Sequence, residues 1–375
     1  MRKVMILTAS TGGGHNQVAS SLEAIYKANG NEVIIVDFLK VIGEAFERAV
    51  IGGYSIILSN LPYIYKGLYR YYNNKEIDSK MSQYALRIFE KNIYDRIIKE
   101  NPDLIIGTHA FSVTIICKLK KEKNLSIPFI SVITDFKAHK FHVNKYVDAY
   151  IVASEYTKLD MIKRGVSKGK IYTHGIPIKQ EFLRENNVRK HRENKDFTVL
   201  LMAGSNGSKE IEIVLRKLIH CKNTIRIIVV CGTNEVLRKN IESNYGTKIG
   251  NKEITIYGFT NRIPKLMNES DLIISKPGGL TVSEAIVSNL PMLIPYMVPG
   301  QEEENAVFLV ESGCARVIDN MDSLKGIVDY LIERPYILEV MKLNMQKLSR
   351  YYSLESIIEI SDKLINEYLD INFSY

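Results

Sequence analysis

The chain has 375 residues, of which 46% are hydrophobic and 25% charged, with a formal net charge of +8. That balance excludes a disordered chain, a collagen-like repeat and a disulfide scaffold, and the length points to two domains. The positive excess draws the protein to anionic partners, and a nucleic acid, an acidic membrane face or a phosphorylated substrate each satisfies it.

The four cysteines, Cys117, Cys221, Cys231 and Cys314, lie far apart in sequence, each in or beside an apolar segment. None has metal-clip spacing, so buried free thiols of a reducing cytoplasm are expected. The opening "MRKVMILTAS" runs straight into a Gly-rich turn. It reads as a first strand and not as a signal peptide. No apolar run has the length needed to cross a bilayer, so any membrane contact is expected to be peripheral, on the cytoplasmic face.

The first strand, "KVMILT", is followed by a helix over "HNQVASSLEAIYKANG", with Val18, Leu22 and Ile25 on one face. "EVIIVD", "DLIIGT", "FISVIT", "AYIVAS" and "KIYTHG" come next. These nearly continuous apolar runs suit a parallel sheet covered on both faces. After the charged stretch "QEFLRENNVRKHRENKD" the pattern restarts with "FTVLLMAG", "RIIVVCG", "EITIYG", "DLIISK", "PMLIPY" and "ARVI". The expected fold class is α/β, as two doubly wound domains in succession. Residues 1–180 form the first, 181–196 a linker and 197–350 the second, with a final helix over 351–375 packing back on the first. That tail sets Leu354, Ile357, Ile358 and Leu364 on one side.

One stretch departs from the alternation. Residues 49–74 are rich in Tyr, Ile and Leu, with Lys66 and Arg70 interleaved. Such a segment either packs on its own domain or lies in a lipid headgroup zone, where Tyr63 and Tyr65 enter and the cations meet phosphates.

In open α/β sheets ligands bind beyond the carboxyl ends of the strands. After the first strand come Gly12, Gly13, Gly14 and His15. Glycines let a backbone approach a ligand, and the helix start favours anions. The spacing matches neither the dinucleotide fingerprint nor a P-loop. An imidazole there is placed for general-base work near neutral pH. His109 follows another strand, and Asp135, His139 and His142 follow a third. Each alone reads as an ordinary surface residue; their arrival at one sheet edge points to a site.

In the second series, Gly204, Ser205, Asn206 and Gly207 form another backbone-rich anion loop. Then "SKPGGLTVSEA" turns from a strand through Lys276, Gly278 and Gly279 into a helix starting near Leu280 and Thr281. Free N–H groups at such a start suit a pyrophosphate. A carboxylate facing that anion would be repelled, so Glu284 makes sense against neutral hydroxyls such as those of a ribose. Gln301 and Glu302, after a Pro-Gly turn, suit the alternating hydroxyls of a sugar. Read as helix caps and exposed charges, the same residues are each explained, but their order is not.

The motifs "TGGGH", "GFTNRIPKLMNESDLIISKPGGLTVSEA" and "PGQEEENA" resemble the monogalactosyldiacylglycerol synthase and processive diacylglycerol glucosyltransferase family. More distantly, they resemble the enzyme that adds N-acetylglucosamine to the peptidoglycan lipid precursor. The resemblance runs from Val4 to about Val317. It implies a GT-B fold of two Rossmann-like domains facing a cleft, a UDP-sugar donor on the second domain and a lipid acceptor on the first. It places the uracil contact on Phe259 and the Thr260 backbone, and the ribose contact on Glu284. The sugar contacts fall on Gln301 and Glu302 with Asn305 beside them, and the presumed base is His15. The family often carries a tryptophan after Thr134-Asp135; this chain has none, and Phe136, Phe141 and His142 stand there.

The expected activity is inverting transfer of glucose or galactose from a UDP-sugar to diacylglycerol at the cytoplasmic membrane face. His15 acts as base, and Asp135 orients His15 or the acceptor. His109, Phe136, His139, His142, Tyr63 and Tyr65 serve the acceptor. The sequence has no Asp-x-Asp pair, so no metal and no cofactor beyond the donor is expected, and no nucleic-acid partner. The alternatives are an undecaprenyl-linked or soluble glycan acceptor, a UDP-sugar epimerase, and a nucleotide-sugar sensor without catalysis.

Overall fold

The structure is a computed structural model, and it describes residues 1–10, 13–42, 80–185, 196–204, 207 and 210–373. They form two compact units. One comprises Met1–Ile178, Pro299–Gln301 and Tyr351–Tyr375, and the other Lys179–Val298 and Glu302–Arg350. Tyr63, Tyr65, Ser205 and Asn206 lie outside the described residues.

The first unit runs β1 (Lys3–Thr8), α1 (Gly13–Ala28), β2 (Glu32–Asp37), α2 (Phe38–Ile42), α3 (Lys80–Glu100), β3 (Leu104–Gly107) and α4 (Ala110–Glu122). It continues with β4 (Phe129–Val132), β5 (Ala149–Val152), α5 (Glu155–Lys163) and β6 (Ile171–Thr173). The sheet order is β2-β1-β3-β4-β5-β6, with parallel neighbours throughout. Val18, Leu22 and Ile25 of α1 are buried, as their helical spacing requires. β3, β4 and β5 are buried along their whole length, which is why they read as unbroken apolar runs.

The second unit runs α6 (Gln180–Glu185), β7 (Phe197–Met202), α7 (Glu210–Leu218), β8 (Ile225–Val230), α8 (Glu235–Tyr245), β9 (Lys248–Ile249) and β10 (Lys252–Tyr257). Then come α9 (Ile263–Asn268), β11 (Leu272–Ser275), α10 (Gly279–Val287), β12 (Met292–Ile294), α11 (Gln301–Glu311, whose first residue counts with the first unit), β13 (Ala315–Val317), α12 (Leu324–Glu333) and α13 (Pro335–Ser349). The sheet order is β13-β12-β11-β7-β8-β10-β9. All neighbours are parallel except β9, which is antiparallel to β10. The charged stretch expected as a linker opens with α6, whose Phe182 is 2% exposed; one buried aromatic ring anchors a short helix there.

Helix α14 (Glu355–Phe373) belongs to the first unit. It buries Ile357, Ile360, Leu364 and Ile365, a 3.6-residue face. Polar contacts fix its register: Tyr26 Oη lies 2.5 Å from Ser361 Oγ, and Tyr368 Oη donates to Asp148 Oδ1 at 2.9 Å. Lys120 Nζ bonds both Tyr368 Oη and Asp148 Oδ2. All four cysteines are free and buried. Among the described residues no helix is long and apolar enough to cross a membrane.

Candidate active site

β1, β3 and β4 are adjacent in the first sheet, so the loops leaving their carboxyl ends converge. A polar net secures the first of these loops. Thr8 Oγ1 donates to Asn16 Oδ1 at 2.9 Å, and Asn16 Nδ2 donates to Ser10 Oγ at 2.8 Å. Ser10 Oγ in turn donates to Asp37 Oδ2 at the end of β2. This holds the start of α1, and with it His15, the third residue of that helix.

His15 Nδ1 lies 2.8 Å from the Thr108 carbonyl oxygen and 3.3 Å from Thr134 Oγ1. A carbonyl only accepts, so Nδ1 carries the proton and Nε2 is left with its lone pair. Burial holds the His15 pKa below the ordinary histidine value, and the Thr108 hydrogen bond opposes that in part. A neutral imidazole with a bare Nε2 is a base. Its orienting partners are a carbonyl and a threonine, which the sequence did not single out.

His109 meets His15 edge to face, with ring centroids 4.7 Å apart. It is the N-cap of α4, where its Nδ1 accepts from Phe111 N at 3.1 Å. Its ring stacks on Phe111 with centroids 5.6 Å apart. His139 caps the short 3-10 turn Lys140–His142 in the same way, accepting from Phe141 N at 3.3 Å. His142 is buried, and its Nδ1 has no hydrogen-bond partner among the described residues. Burial, and then the neighbouring imidazoles, push His109 well below the ordinary value and His142 down to about 3. Phe136 is 0% exposed, and its ring belongs to the core. Asp135 Oδ2 accepts from Gln301 Nε2 at 3.2 Å, both within the first unit.

In the second unit β12, β11 and β7 are adjacent, so three further loops share a sheet edge. Gly204 has φ +74° and Gly207 φ +67°. A Cβ on Gly204 would sit 2.9 Å from Lys276 Cε, so side-chain-bearing residues are disfavoured by conformation and by space. Gly278 caps α10 without any side-chain hydrogen bond. The first N–H groups of that helix therefore lack an intrahelical partner. Leu280 and Thr281 stand in this first turn, half-buried.

Glu284 lies one turn further on and is 8% exposed. Its carboxyl group makes no hydrogen bond with any described residue. Burial pushes its pKa up to about 8, against the pull of the Lys179 charge. A buried carboxyl without a partner, close to an open helix start, is costly unless a ligand completes it. Lys276 Nζ lies 2.7 Å from Glu302 Oε1, and Glu302 Oε2 accepts from Val298 N at 2.7 Å. Asn305 is fully buried, and its Nδ2 donates to the Pro277 carbonyl at 3.1 Å, bracing the Pro277-Gly278 turn that leads into α10. Phe259 is 71% exposed, and Thr260 Oγ1 accepts from Arg262 N at 3.2 Å. Among the described residues no cluster of His, Cys, Asp and Glu has metal-ligand geometry.

Residues 15–178 match the family of monogalactosyldiacylglycerol (MGDG) synthases, and residues 198–347 match the glycosyltransferase family 28 C-terminal domain. The processive diacylglycerol beta-glucosyltransferase of Bacillus pumilus (strain SAFR-032) is 31% identical over 381 residues, covering 97% of each chain. The enzyme of the same name from Bacillus mycoides (strain KBAB4) is 32% identical over 93% of this chain and 90% of its own. Acinetobacter baumannii MurG superposes with a TM-score of 0.68 at 16% identity, over 97% of this chain and 99% of that one. A UDP-GlcNAc 2-epimerase from Neisseria meningitidis superposes at 0.61 with 13% identity, over 95% of this chain and 98% of that one. Those two likenesses concern the fold, which is GT-B. Sequence identity across nearly the whole length is what assigns the family: the chain belongs to the monogalactosyldiacylglycerol synthase and processive diacylglycerol glucosyltransferase family.

Proposed function

We propose that this protein transfers a hexose from a UDP-sugar to the free hydroxyl of diacylglycerol, with inversion at the anomeric carbon. The observation that carries the reading is the fixed tautomer of His15, whose Nδ1–H is tied to the Thr108 carbonyl so that Nε2 is a base. Family membership supplies the class of acceptor, and the name shared by the curated relatives points to glucose.

In this reading the diphosphate rests on the open N–H groups at the start of α10 and on the loop around Gly204 and Gly207. Glu284 takes the ribose hydroxyls, and Phe259 lies against the uracil. Gln301 and Glu302 take the hexose hydroxyls, while Asn305 braces the Pro277-Gly278 turn ahead of α10. His15 Nε2 removes the acceptor's hydroxyl proton as its oxygen bonds to the anomeric carbon. The bond from that carbon to the phosphate oxygen breaks, and UDP leaves with the electron pair. General-base help of this kind is worth roughly 10²–10⁴-fold. The helix start, with Lys276 beside it, stabilises the charge that gathers on the leaving group. No metal is required, and the protein acts peripherally on the inner, anionic membrane face, consistent with its net charge of +8.

A specific observation favours transfer over epimerisation. Among the described residues of the three converging loops in the first unit, only the loop after β4 supplies a carboxylate at the sheet edge, Asp135, and it is engaged by Gln301. An epimerase needs acid and base groups on both faces of the sugar. The test is incubation with radiolabelled UDP-glucose or UDP-galactose and diacylglycerol vesicles, followed by lipid extraction. Label in the lipid fraction is expected with UDP-glucose. Sugar interconversion without labelled lipid would overturn the reading.

A further inference from the structure

The two rings that meet at 4.7 Å are held in opposite tautomers. His15 Nδ1 faces a carbonyl oxygen, so its proton sits on Nδ1. His109 Nδ1 accepts the Phe111 N–H, so it must be bare. With the ring neutral, the single proton of His109 then sits on Nε2. The cap dictates this choice: extended backbone at φ −135°, ψ 147° turns Nδ1 onto the helix's own free N–H. Stacking on Phe111 fixes the ring plane. Burial and the adjacent imidazoles keep the ring uncharged. The pair therefore combines one acceptor, His15 Nε2, with one donor, His109 Nε2–H. A hydroxyl group has both complements: a proton to give and an oxygen that accepts.

We propose that His109 is a second direct contact to the acceptor hydroxyl, its Nε2–H donating to the oxygen whose proton His15 takes. The proposal rests on the reading of the protein as a transferase to a hydroxyl acceptor. The oxygen bonds His109 with one lone pair and attacks the anomeric carbon with another. Its O–H bond breaks toward His15 Nε2, leaving an imidazolium held by Thr108 and Thr134. The donated bond fixes the direction of the attacking lone pair, a positional role that a hydroxyl held by the base alone would lack.

Two substitutions separate this role from the helix cap. In His109→Asn the amide oxygen replaces Nδ1 as the cap acceptor, but nothing reaches the position of Nε2. In His109→Gln the amide nitrogen reaches that position, but the cap is lost. The expected outcome is crossed. Asn keeps thermal stability yet lowers kcat/KM for diacylglycerol about ten- to hundredfold, the effect of one lost hydrogen bond to a developing charge. Gln lowers stability yet keeps kcat/KM within about fivefold. The KM for the UDP-sugar stays unchanged in both. Nitrogen-15 spectra of the imidazoles of the full chain should show a protonated Nε2 for His109 and a protonated Nδ1 for His15. An Asn variant as active as wild type, a Gln variant as impaired as Asn, or a protonated Nδ1 on His109 would each overturn the proposal. Absence of lipid labelling by the wild-type protein would strike the functional reading instead, and the spectra would still decide the tautomers.

Discussion

In the first unit the polar groups at the strand ends are side chains, whereas in the second they are mostly main chain. His15, His109, His139 and His142 crowd three adjacent loops, each with its ring set by a named partner or by burial. The second unit offers positive-φ glycines and an uncapped helix start, with one buried carboxyl behind them. Imidazoles can move a proton; peptide N–H groups can only hold charge in place. On the proposed reading, the same sheet architecture is loaded once for chemistry and once for binding. Substitutions should divide along that line, harming turnover in one unit and nucleotide affinity in the other.

The most severe test of that division is His15→Ala. It should lower kcat roughly 10²–10⁴-fold, the range for a lost general base. Affinity for UDP, measured by calorimetry, should stay unchanged, because no group of the second unit is altered. Parallel loss of turnover and of UDP affinity in a folded variant would erase the distinction.

The converse test is Glu284→Ala. Hydrogen bonds to a charged group contribute about 1.5–3 kcal/mol. UDP and UDP-sugar should therefore both bind roughly ten- to hundredfold more weakly. The pH dependence sharpens this. Burial raises the Glu284 pKa to about 8, so at pH 7 the carboxyl of the free protein is mostly protonated. Ribose hydroxyls donate best to the ionised form, so binding must release a proton. Wild-type affinity for UDP should then rise as pH rises toward about 8 and level off above it, whereas the Ala variant should show no such rise. Flat affinity in the wild type would remove Glu284 from the ribose.

The parts of this arrangement differ in how far they could be read from sequence. The parallel strands were plain because burial on both faces makes each an unbroken apolar run, as in β3 and β4. Glycines at Gly204 and Gly207 marked a turn because only glycine sits there without strain. β9 escaped notice, since two residues cannot show a period, though Gly246 and Gly250 at φ +58° and +57° bracket it. The helix at Gln180–Glu185 was masked by its charges, because a single buried phenylalanine anchors it. Partner choice was the least accessible feature. His15 is held by a main-chain carbonyl from a distant loop, and a carbonyl leaves no mark in the sequence. The sequence sets Lys276 in the turn before a helix and Glu302 against sugar hydroxyls, yet the two pair with each other 26 residues apart. Residues 49–74 lie outside the described residues, so their relation to lipid stays with the functional proposal.

The smallest effect concerns the second support of the base. Thr134 is 8% exposed and places Oγ1 3.3 Å from His15 Nδ1, sharing that proton with the Thr108 carbonyl. Thr134→Val keeps the shape and removes the acceptor. One neutral hydrogen bond contributes about 0.5–1.5 kcal/mol, so kcat should fall roughly two- to tenfold. The sign of the pH shift tells this apart from simple loss of packing. An oxygen beside Nδ1–H favours the imidazolium, so removing it lowers the His15 pKa further. Burial already holds that pKa below 6.5, so the wild-type acid limb of kcat/KM lies below pH 6.5, with the base active above it. In the valine variant the limb should move to still lower pH while the plateau drops. A limb that moves upward would mean that Thr134 donates its hydroxyl proton to Nδ1 instead. The base would then be the opposite tautomer, and the contrast between a proton-moving first unit and a charge-holding second one would need a different residue at its centre.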